Sequence, residues 1–433
     1  MMQHGSCECS KTELDVTSVP PTMTAMQDAQ WTEHYPISAL NNSAPIEFII
    51  PPQTEKWTDL NQSYLYVKFK VVAAADGANL AGDAEVSVVN NFFHSMFSSI
   101  DLYLNNKLVS SDSDLYPYRA YIENLLSYSK ACQDTQLKAF ELWDKDTATH
   151  MQDNTTGANN EGWKRRRLRI QGSASCELIG RLHLDLFLQE KYLPNGIELR
   201  LKLNRTSNNF CLVGTAEGKV VIQQVGFNVR TVDLLPVVAN NLNQAIAQYN
   251  MKIPIRRAVV KTFTIPAGQR SKIDDHLFLG QLPKRIILGM VRNSDINGNA
   301  ASNPFDFKHF NLSKLEVSID GKTTHNKAFT PNFTDGEVAR SYMSLYQATG
   351  SMGMNRSFGM SLTQYKAGYT LWGFDLTADQ GSEEGQLHPI KTGNMRIDLQ
   401  FSEGLGVPIN VIVYAEFDNQ IEINTIREII TDY

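Results

Sequence analysis

Two stretches of the chain repeat one pattern of alternating apolar and polar residues. The apolar positions fall at every second residue, at Ile100, Leu102 and Leu104 in the first stretch and at Leu315, Val317 and Ile319 in the second. A two-residue period predicts a strand with one face on a core. Equivalent positions are separated by a constant step, for example 315 − 100 = 215, so the two strands are predicted to be copies of each other.

The residues after each strand are repeated as well. Asn105-Asn106 and Asp320-Gly321 tolerate positive φ, so each pair predicts a tight hairpin turn. A short helical signature follows, with Arg119 in the first copy and Arg340 in the second (340 − 119 = 221). The shared order is therefore strand, turn, loop and helix.

We extend the repeat upstream to the segments FIIPP and FTIPA. The same step of 215 maps the first segment onto the second, pairing Phe48 with Phe263, Ile50 with Ile265 and Pro51 with Pro266. A period of this length predicts a duplicated domain, because the repeats of solenoids run to roughly 20–50 residues. The sequence thus predicts two tandem copies of one β domain.

Further alternating segments supply the remaining strands. They lie at residues 64–72, 182–188, 197–203, 220–227, 395–401 and 409–417. Many short strands, long loops and little helix are typical of an antiparallel sandwich, and the loop lengths favour a jelly roll over a meander. We predict an all-β chain of two tandem eight-stranded antiparallel jelly rolls, with short helices in the loops and the linker.

The predicted boundaries follow from composition and period. Residues 1–37 are polar and contain Pro20-Pro21, which predicts a flexible N-terminal arm. The first jelly roll is placed at 38–235 and the second at 252–433. Between them, 236–251 is a linker in which apolar residues spaced by three to four positions predict a short helix.

Residues 129–163 are rich in Asp, Asn, Thr and Gly and predict a long surface loop. The loop ends in the basic cluster Trp163-Lys164-Arg165-Arg166-Arg167, which is followed by Leu168-Arg169-Ile170. A basic cluster can contact nucleic acid, but no aromatic interleaving or basic domain accompanies this one. We therefore interpret it as the solvated or interface edge of a strand.

Composition narrows the class of protein. With 433 residues, 42% of them hydrophobic, the chain can form two domains with sizeable cores. A net charge of −6 does not indicate a dedicated nucleic-acid binder. The first ten residues lack the pattern of a signal peptide, the five cysteines show no disulfide framework, and no apolar run approaches the roughly 18 residues of a membrane helix. We expect a soluble protein made in a reducing compartment.

None of the candidate catalytic and metal-binding motifs is complete. Cys7 and Cys9 would need further ligands to hold a metal, and Gly321-Lys322-Thr323 lacks the upstream glycine of a phosphate-binding loop, where Glu316 stands instead. Asp274-Asp275 and Glu383-Glu384 are merely sequence neighbours.

A cupin-type metalloenzyme, which also uses jelly rolls, needs a His-x-His motif and further ligands that converge on a metal. The nine histidines include no such motif: His4, His34, His94, His150, His183, His276, His309, His325 and His388. His94 and His309 recur at matched positions and are interpreted as structural. We assign no catalytic, cofactor-binding or metal-binding residue and expect no cofactor.

Two segments, VNNFFHSMFSSIDLYLNNKLVSSDSDLYPYRAYIENLLSY and GRLHLDLFLQEKYLPNGIELRLKL, resemble the double jelly-roll major capsid proteins of Polinton (Maverick) elements and adintoviruses. The resemblance spans residues 38–425. It implies a hexon, that is, a homotrimer whose six rolls form a pseudo-hexagonal tile of an icosahedral shell around DNA.

The same resemblance implies the partners and the location of the protein. They are further copies of the chain, neighbouring capsomers, a single jelly-roll penton protein and at most non-specific contact with packaged DNA. The protein is expected in the virion, after synthesis in the host cytoplasm and assembly in the host nucleus. The remaining alternative is a tandem jelly-roll binding module of the lectin or receptor-binding type.

Overall fold

The computed structural model describes residues 12–40, 44–110, 113–325 and 327–433. Strands make up most of the regular structure. They are β1 (Met26–His34), β2 (Ile46–Ile50), β3 (Trp57–Ala73), β4 (Val86–Val88), β5 (Phe97–Leu104), β6 (Lys107–Ser110), β7 (Cys176–Gly180), β8 (Leu199–Arg205), β9 (Leu212–Gly214), β10 (Gly218–Leu234), β11 (Met251–Ile265), β12 (Ser271–Asp274), β13 (Arg285–Arg292), β14 (Leu312–Ile319), β15 (Lys322–Thr323), β16 (Leu371–Asp375), β17 (Met395–Phe401), β18 (Ile409–Ile423) and β19 (Ile429–Thr431).

Short helices lie in the connections. They are α1 (Phe92–Ser95), α2 (Tyr116–Ser127), α3 (Lys130–Cys132), α4 (Lys138–Phe140), α5 (Glu161–Ile170), α6 (Asn208–Cys211), α7 (Pro236–Gln248), α8 (Asn293–Ile296), α9 (Ala339–Ala348) and α10 (Leu362–Tyr365). A π-helical turn, Gln133–Leu137, joins α3 to α4, and single 3₁₀ turns lie at Thr12–Leu14, Ala148–His150, Gln171–Ser173 and Asp185–Leu188.

Two sandwiches of the same strand order account for the sheets. The first consists of the sheets β1-β10-β3-β7 and β2-β8-β5-β6, and the second consists of β11-β18-β13-β16 and β12-β17-β14-β15. When the short pair β4 and β9 and the terminal strand β19 are set aside, each sandwich joins its first, eighth, third and sixth strands in one sheet and its second, seventh, fourth and fifth in the other. All these pairings are antiparallel, which is the connectivity of a jelly roll. The predicted fold class is confirmed.

The duplicated hairpin has the predicted geometry in both rolls. Asn105 and Asn106 have φ of 45° and 65°, and Asp320 and Gly321 have φ of 48° and 79°. Positive φ at both central residues matches the right-handed twist of the flanking strands β5–β6 and β14–β15. The alternation also holds, because Leu102 and Val317 are both almost completely buried.

The upstream extension of the repeat is wrong. FIIPP belongs to β2, the second strand of the first roll, whereas FTIPA ends β11, the first strand of the second roll. The two segments occupy different sheets of their rolls. Both β2 and β11 are edge strands, where a proline next to an apolar strand end is tolerated, so this short match did not identify equivalent strands.

Part of the predicted N-terminal arm is a strand. β1 pairs along β10 in an antiparallel register from Met26 to His34 and forms an edge of the first roll. Its residues are mostly exposed and the rest are half-buried, which explains why no hydrophobic period marks it. Cys7, Cys9 and His4 lie outside the described residues.

Residues 182–188 were predicted to form a strand but do not. After β7 the chain runs in an extended, unpaired path and then forms the 3₁₀ turn Asp185–Leu188. Leu182, Leu184 and Leu186 are nevertheless buried. Alternate leucines therefore marked a buried extended segment that has no ladder partner.

The remaining predicted strands and the linker helix are borne out. The segments at 64–72, 220–227, 395–401 and 409–417 lie in β3, β10, β17 and β18, and α7 forms between the last strand of the first roll and the first strand of the second. Within the described ranges, no helix is both long and apolar enough to span a membrane.

Candidate functional site

The junction between the two rolls contains a network of buried charged and polar side chains. Its foundation is the sheet β11-β18-β13-β16, whose two central strands are largely covered on both faces. Every residue of β13 except Arg292 is buried, and so are the first nine residues of β18. The sequences IILGMV and INVIVYA lack alternation for this reason, since a strand covered on both sides reads as a continuous apolar run.

Alternate side chains of these strands enter two different cores. Ile286 and Val413 pack in a core that belongs to the second roll alone. Ile287 and Ile412 pack in a core that is continuous with the interior of the first roll. The two rolls therefore share buried apolar surface.

An aromatic cluster extends this shared core. Tyr121 of α2 stacks on Phe305 of the second roll with ring centroids 4.2 Å apart and planes 6° apart. Tyr118 meets the same ring edge-on at 5.5 Å, and its hydroxyl donates to the carbonyl of Pro304 at 3.0 Å. Helix α2, which was predicted from the repeat, thus packs against the other roll.

Arg119 forms the centre of a buried polar network beside that cluster. Its guanidinium donates from Nε to Glu123 at 3.1 Å and from a terminal nitrogen to Asp185 at 2.7 Å. Asp185 also accepts the backbone N–H of Ala258 on β11 at 3.1 Å. The arginine thereby links α2, the 3₁₀ turn of the first roll and a strand of the second roll.

The network continues into the second roll through Tyr414. Its hydroxyl lies 3.1 Å from Glu123 and 2.6 Å from Glu416, so its single proton is donated to the nearer Glu416. Glu416 forms an ion pair with Arg285, and Arg285 also pairs with Glu383 and donates to the carbonyl of Ala348 at 2.9 Å. Two arginine–carboxylate groups, around Arg119 and Arg285, are thus linked across the junction by the Tyr414 hydroxyl.

Two histidines continue the network on the side of the first roll. His94 contacts Glu141 at 3.2 Å and the Tyr116 hydroxyl at 2.9 Å. His183 pairs with Glu123, and its other ring nitrogen lies 3.1 Å from Asn124. The two imidazole rings are 4.6 Å apart between centroids.

Burial and charge pull the pKa values of these groups in opposite directions. Burial alone would raise the pKa of Glu123, but Arg119 and then His183 outweigh it and lower the pKa to about 2. Burial would likewise raise the pKa of Glu141, yet His94 keeps it below its usual value. Burial lowers the pKa of His94 itself. The carboxylates are therefore ionised at neutral pH and His94 is neutral.

The network fixes the two rolls relative to each other. Each charged group already has a partner within the junction, and a buried pair with satisfied hydrogen bonds fixes geometry while adding little net stability. Among the described residues, no three His, Cys, Asp or Glu side chains converge to form a group that could hold a metal.

The remaining described histidines have separate environments. His309 stacks on Phe333 at 4.0 Å, so its surroundings differ from those of His94. The others are His34 on β1, His150 beside Asp153, His276 beside Asp275, His325 against Phe374 and His388 between Asp379 and Asp418.

The segment at 129–163 is not a surface loop. About half of it is helical, and Trp143, Asp146 and Trp163 are buried within it. Asp146 accepts a hydrogen bond from Asn303 of the second roll at 2.9 Å, and its backbone carbonyl accepts one from the Tyr369 hydroxyl at 2.8 Å. The segment therefore bridges the two rolls.

The basic cluster was also misassigned, because it lies in α5 and not on a strand. Arg166 is buried, pairs with Asp146 at 2.6 Å and donates from Nε to the carbonyl of Val88 at 2.9 Å. Sequence signals for the helix were present, since Asn160 caps it by accepting from the N–H of Trp163 and Glu161 follows in the first turn.

The other candidate motifs have structural roles. Gly321-Lys322-Thr323 is the predicted hairpin turn. Glu383 pairs with Arg285 and Arg256 in the junction, and Asp274 ends β12, so neither neighbouring carboxylate pair forms a shared site.

The chain was compared with known sequences and solved structures. No family model matches the chain. It is 25% identical to an uncharacterized protein of Caenorhabditis elegans, an alignment that covers 96% of this chain and 99% of that protein. A chain of the Sputnik virophage cryo-EM structure matches with a TM-score of 0.66 at 11% identity, covering 99% of this chain and 93% of the other.

Two solved major capsid proteins match as well. The mavirus protein gives a TM-score of 0.55 at 11% identity and covers 100% of this chain and 96% of its own. The faustovirus protein gives 0.57 at 9% identity, with 94% and 92% covered. The chain has the double jelly-roll fold of viral major capsid proteins.

The two sheets that correspond to each other in the double jelly roll differ in exposure. The sheet β11-β18-β13-β16 is covered by the first roll, whereas its counterpart β1-β10-β3-β7 has an open outer side. Trp31, Glu33, Tyr64, Tyr66, Ile179 and Arg230 are on that side. We call these residues the outer sheet face. Trp31 is 54% exposed and Ile179 is 39% exposed.

The C-terminal end of the double jelly roll ties back to the first roll. Arg427 donates to the backbone carbonyl of Asn195 at 2.8 Å and to its side-chain oxygen at 2.6 Å. Asn105, in the duplicated hairpin turn, donates to the carbonyl of Arg427 at 2.8 Å, and the Tyr433 hydroxyl donates to the carbonyl of Val109 at 2.7 Å. These contacts add a second attachment between the rolls.

Proposed function

We propose that this chain is the major capsid protein of a Polinton-type (Maverick or adintovirus) element, and that its role is structural and not catalytic. The observation that carries the proposal is the near full-length match of both rolls to viral capsid proteins, with 99% of the chain covered in the Sputnik comparison. The resemblance of the sequence to the Polinton and adintovirus family supports the same function.

The arrangement of the rolls favours a homotrimeric, pseudo-hexameric capsomer. Each chain supplies two rolls with the same strand order, held together by a shared core and a buried ionic network. Three such chains around a three-fold axis would place six similar rolls in a ring, which can occupy a site of nearly six-fold shape.

The outer sheet face is the proposed contact between copies. In the ring, every roll meets a neighbour on each side, and within one chain the sheet β11-β18-β13-β16 already packs against the preceding roll. The corresponding sheet of the first roll would then be covered by the second roll of another copy. Trp31 and Ile179 leave apolar surface on that sheet to be buried.

The wider assembly follows from the same proposal. Capsomers would tile an icosahedral shell around a DNA genome, with a single jelly-roll penton protein at the vertices. Since the chain carries a net charge of −6, its contact with packaged DNA would be non-specific at most. The protein would be found in the virion, made in the host cytoplasm and assembled in the host nucleus.

Light scattering coupled to size-exclusion chromatography tests the oligomer. We expect a particle of about 146 kDa (3 × 48.6), held by interfaces that each bury more than roughly 2,000 Å². Ile179→Arg should shift the particle toward monomer, because it places a charge in the proposed contact. Lys107→Glu, which changes an exposed residue beside the hairpin turn, should leave the trimer intact.

A wild-type monomer that does not associate at any concentration would exclude the capsomer. A trimer unaffected by Ile179→Arg would retain the capsomer but remove the outer sheet face from its contacts. Coexpression with the penton partner distinguishes a capsid protein from a tandem binding module. A capsid protein should form closed shells with hexagonally arrayed capsomers, whereas a binding module should form none.

A further inference from the structure

We propose that the cleft between the two rolls contains a binding site for a small oxyanion of the phosphate class, with Arg205 as its principal ligand. The proposal concerns a single chain and does not depend on the trimer or on capsid assembly.

The position of Arg205 on its strand is unusual. Leu199, Leu201 and Leu203 of β8 point into the core of the first roll and are buried. Arg205 is the next residue in that alternate series and pairs across the ladder with the buried Phe97. Its side chain therefore enters on the core side of the sheet, at the end of the strand where the barrel meets the second roll.

Among the described residues, no carboxylate forms an ion pair with this arginine. The fully buried arginines of the junction each have one, since Arg119 pairs with Asp185, Arg166 with Asp146 and Arg285 with Glu416. The Nε of Arg205 is buried and has no hydrogen-bond partner, and no ion pair involves its guanidinium, in the part of the chain that the structure describes. Burial lowers the pKa of this guanidinium, yet arginine stays charged in proteins.

Arg205 is half-buried, and its buried Nε lacks a hydrogen bond that water or an anion must supply. A cavity of about 380 Å³ lies beside Arg205, with room for roughly a dozen waters at about 30 Å³ each. A phosphate ion with part of its hydration shell fits in such a space.

The cavity wall is rich in hydrogen-bond donors. The first roll contributes the hydroxyls of Ser98, Thr206 and Ser207, and the second roll contributes Thr262, Asn297 and Asn410. Thr206 and Thr262 have buried hydroxyls without a partner among the described residues. These two lie on opposite rolls, so a ligand between them would contact both.

The acceptors of the wall are largely engaged already. Asp114, the carboxylate on the rim, accepts the Ser98 hydroxyl at 3.1 Å. The Asn410 side-chain oxygen accepts from Asn293 at 2.7 Å and from Thr264 at 3.2 Å. One guanidinium beside the unpartnered hydroxyls of Thr206 and Thr262 suits a compact oxyanion, because arginine presents a planar fork that matches phosphate oxygens. It does not suit a metal cation.

Isothermal titration calorimetry with inorganic phosphate tests the site in the full-length protein, at constant ionic strength with chloride as the reference anion. Wild type should bind one phosphate per chain, and its melting temperature should rise with phosphate concentration. Arg205→Gln should weaken binding by roughly 10-fold or more, since a charge-assisted hydrogen bond is removed.

Arg200→Gln is the matched control. Arg200 lies on the same strand, but its guanidinium is bound to Glu47 at 3.0 Å, so phosphate affinity should stay within about two-fold of wild type. Thr262→Val is a second test of the site that leaves Arg205 unchanged. It should reduce phosphate affinity several-fold without lowering the melting temperature in chloride, because the hydroxyl that it removes has no protein partner.

The result that overturns the proposal is equally definite. If wild type binds no phosphate and its melting temperature is the same in phosphate as in chloride, water alone fills the cavity. Equal binding by wild type, Arg205→Gln and Thr262→Val would place any bound phosphate elsewhere. If Arg205→Gln does not fold, the comparison of Thr262→Val with wild type decides the matter.

Discussion

Replacing Arg119 by methionine tests whether the two rolls are coupled through the buried network. The Arg119 side chain is 1% exposed, and its partners Glu123 and Asp185 are 11% and 4% exposed. Methionine keeps much of the volume but leaves two buried carboxylates without their main counter-charge. Removing one partner of a buried ion pair costs about 3–5 kcal/mol.

The matched control is Arg340→Met, which changes the equivalent arginine of the second copy. Arg340 is exposed and donates to the backbone carbonyls of His325, Lys327 and Ala328. Because these bonds are open to solvent, their loss should cost about 1 kcal/mol. Two arginines at one position of the repeat thus have different predicted effects, and the difference arises from the junction.

Thermal unfolding measures the difference. For a chain of 433 residues, an unfolding entropy of roughly 2.1 cal/mol/K per residue makes 1 kcal/mol correspond to about 1 °C. Arg119→Met should lower the melting temperature by about 3–6 °C and Arg340→Met by about 1 °C. Equal shifts for the two variants would refute the reasoning, because the ionic junction would then contribute no more than a surface contact.

Further predictions concern the cores and the pH dependence. Leu102→Asp and Val317→Asp should each abolish soluble folding, because an unpaired charge in either core costs several kcal/mol against a total stability of roughly 5–15 kcal/mol, whereas exposed Lys107→Ala should be nearly neutral. A soluble Leu102→Asp protein with an unchanged melting temperature would disprove the placement of β5. Acidification should destabilise the protein, because His94 and Glu123 have lowered pKa values in the folded state. Their contributions are complete above the unfolded pKa values of about 6.5 and 4.3, and are lost as the pH falls through that of His94 and then toward 2 for Glu123. Burial raises the pKa of Asp185, which opposes this trend in part. The free energy of unfolding in urea should therefore fall below about pH 6.5 and more steeply below about pH 4.3, and a rise on acidification would contradict the assignment.

Features set by short-range chemistry could be predicted from the sequence. The hairpin turns followed from Asn105-Asn106 and Asp320-Gly321, because few residues tolerate positive φ. The alternation in β5 and β14 followed from one buried face. These local signals were repeated in two copies, so together they were enough to predict the fold class.

Features set by contacts between the rolls could not be predicted in this way. The polar composition of the segment at 129–163 does not mark solvent exposure at Asp146, which is buried and bonded to the distant Asn303, or at Asn160, which is buried and bonded within the segment. Arg166 looked like a surface charge for the same reason. Leu182 and its alternate neighbours have the period of a strand, but no adjacent strand pairs with them. Whether a segment pairs depends on a second segment, so its own sequence cannot predict it.

The junction network was missed although one of its members was noticed. Arg119 stood out as the match of Arg340, yet nothing in the sequence distinguishes the buried copy from the exposed one. Its partner Asp185 is 66 positions away and Ala258 is 139 positions away. The unbroken apolar runs IILGMV and INVIVYA were the available signal, since they indicate a sheet covered on both faces by a second layer.

Cryo-electron microscopy of the purified protein tests the central claim most directly. The account predicts a particle with three-fold symmetry and a pseudo-hexagonal outline formed by six rolls, in which the outer sheet face of each first roll lies against the second roll of a neighbouring copy. A monomer, or an oligomer in which Trp31 and Ile179 remain exposed to solvent, would contradict it.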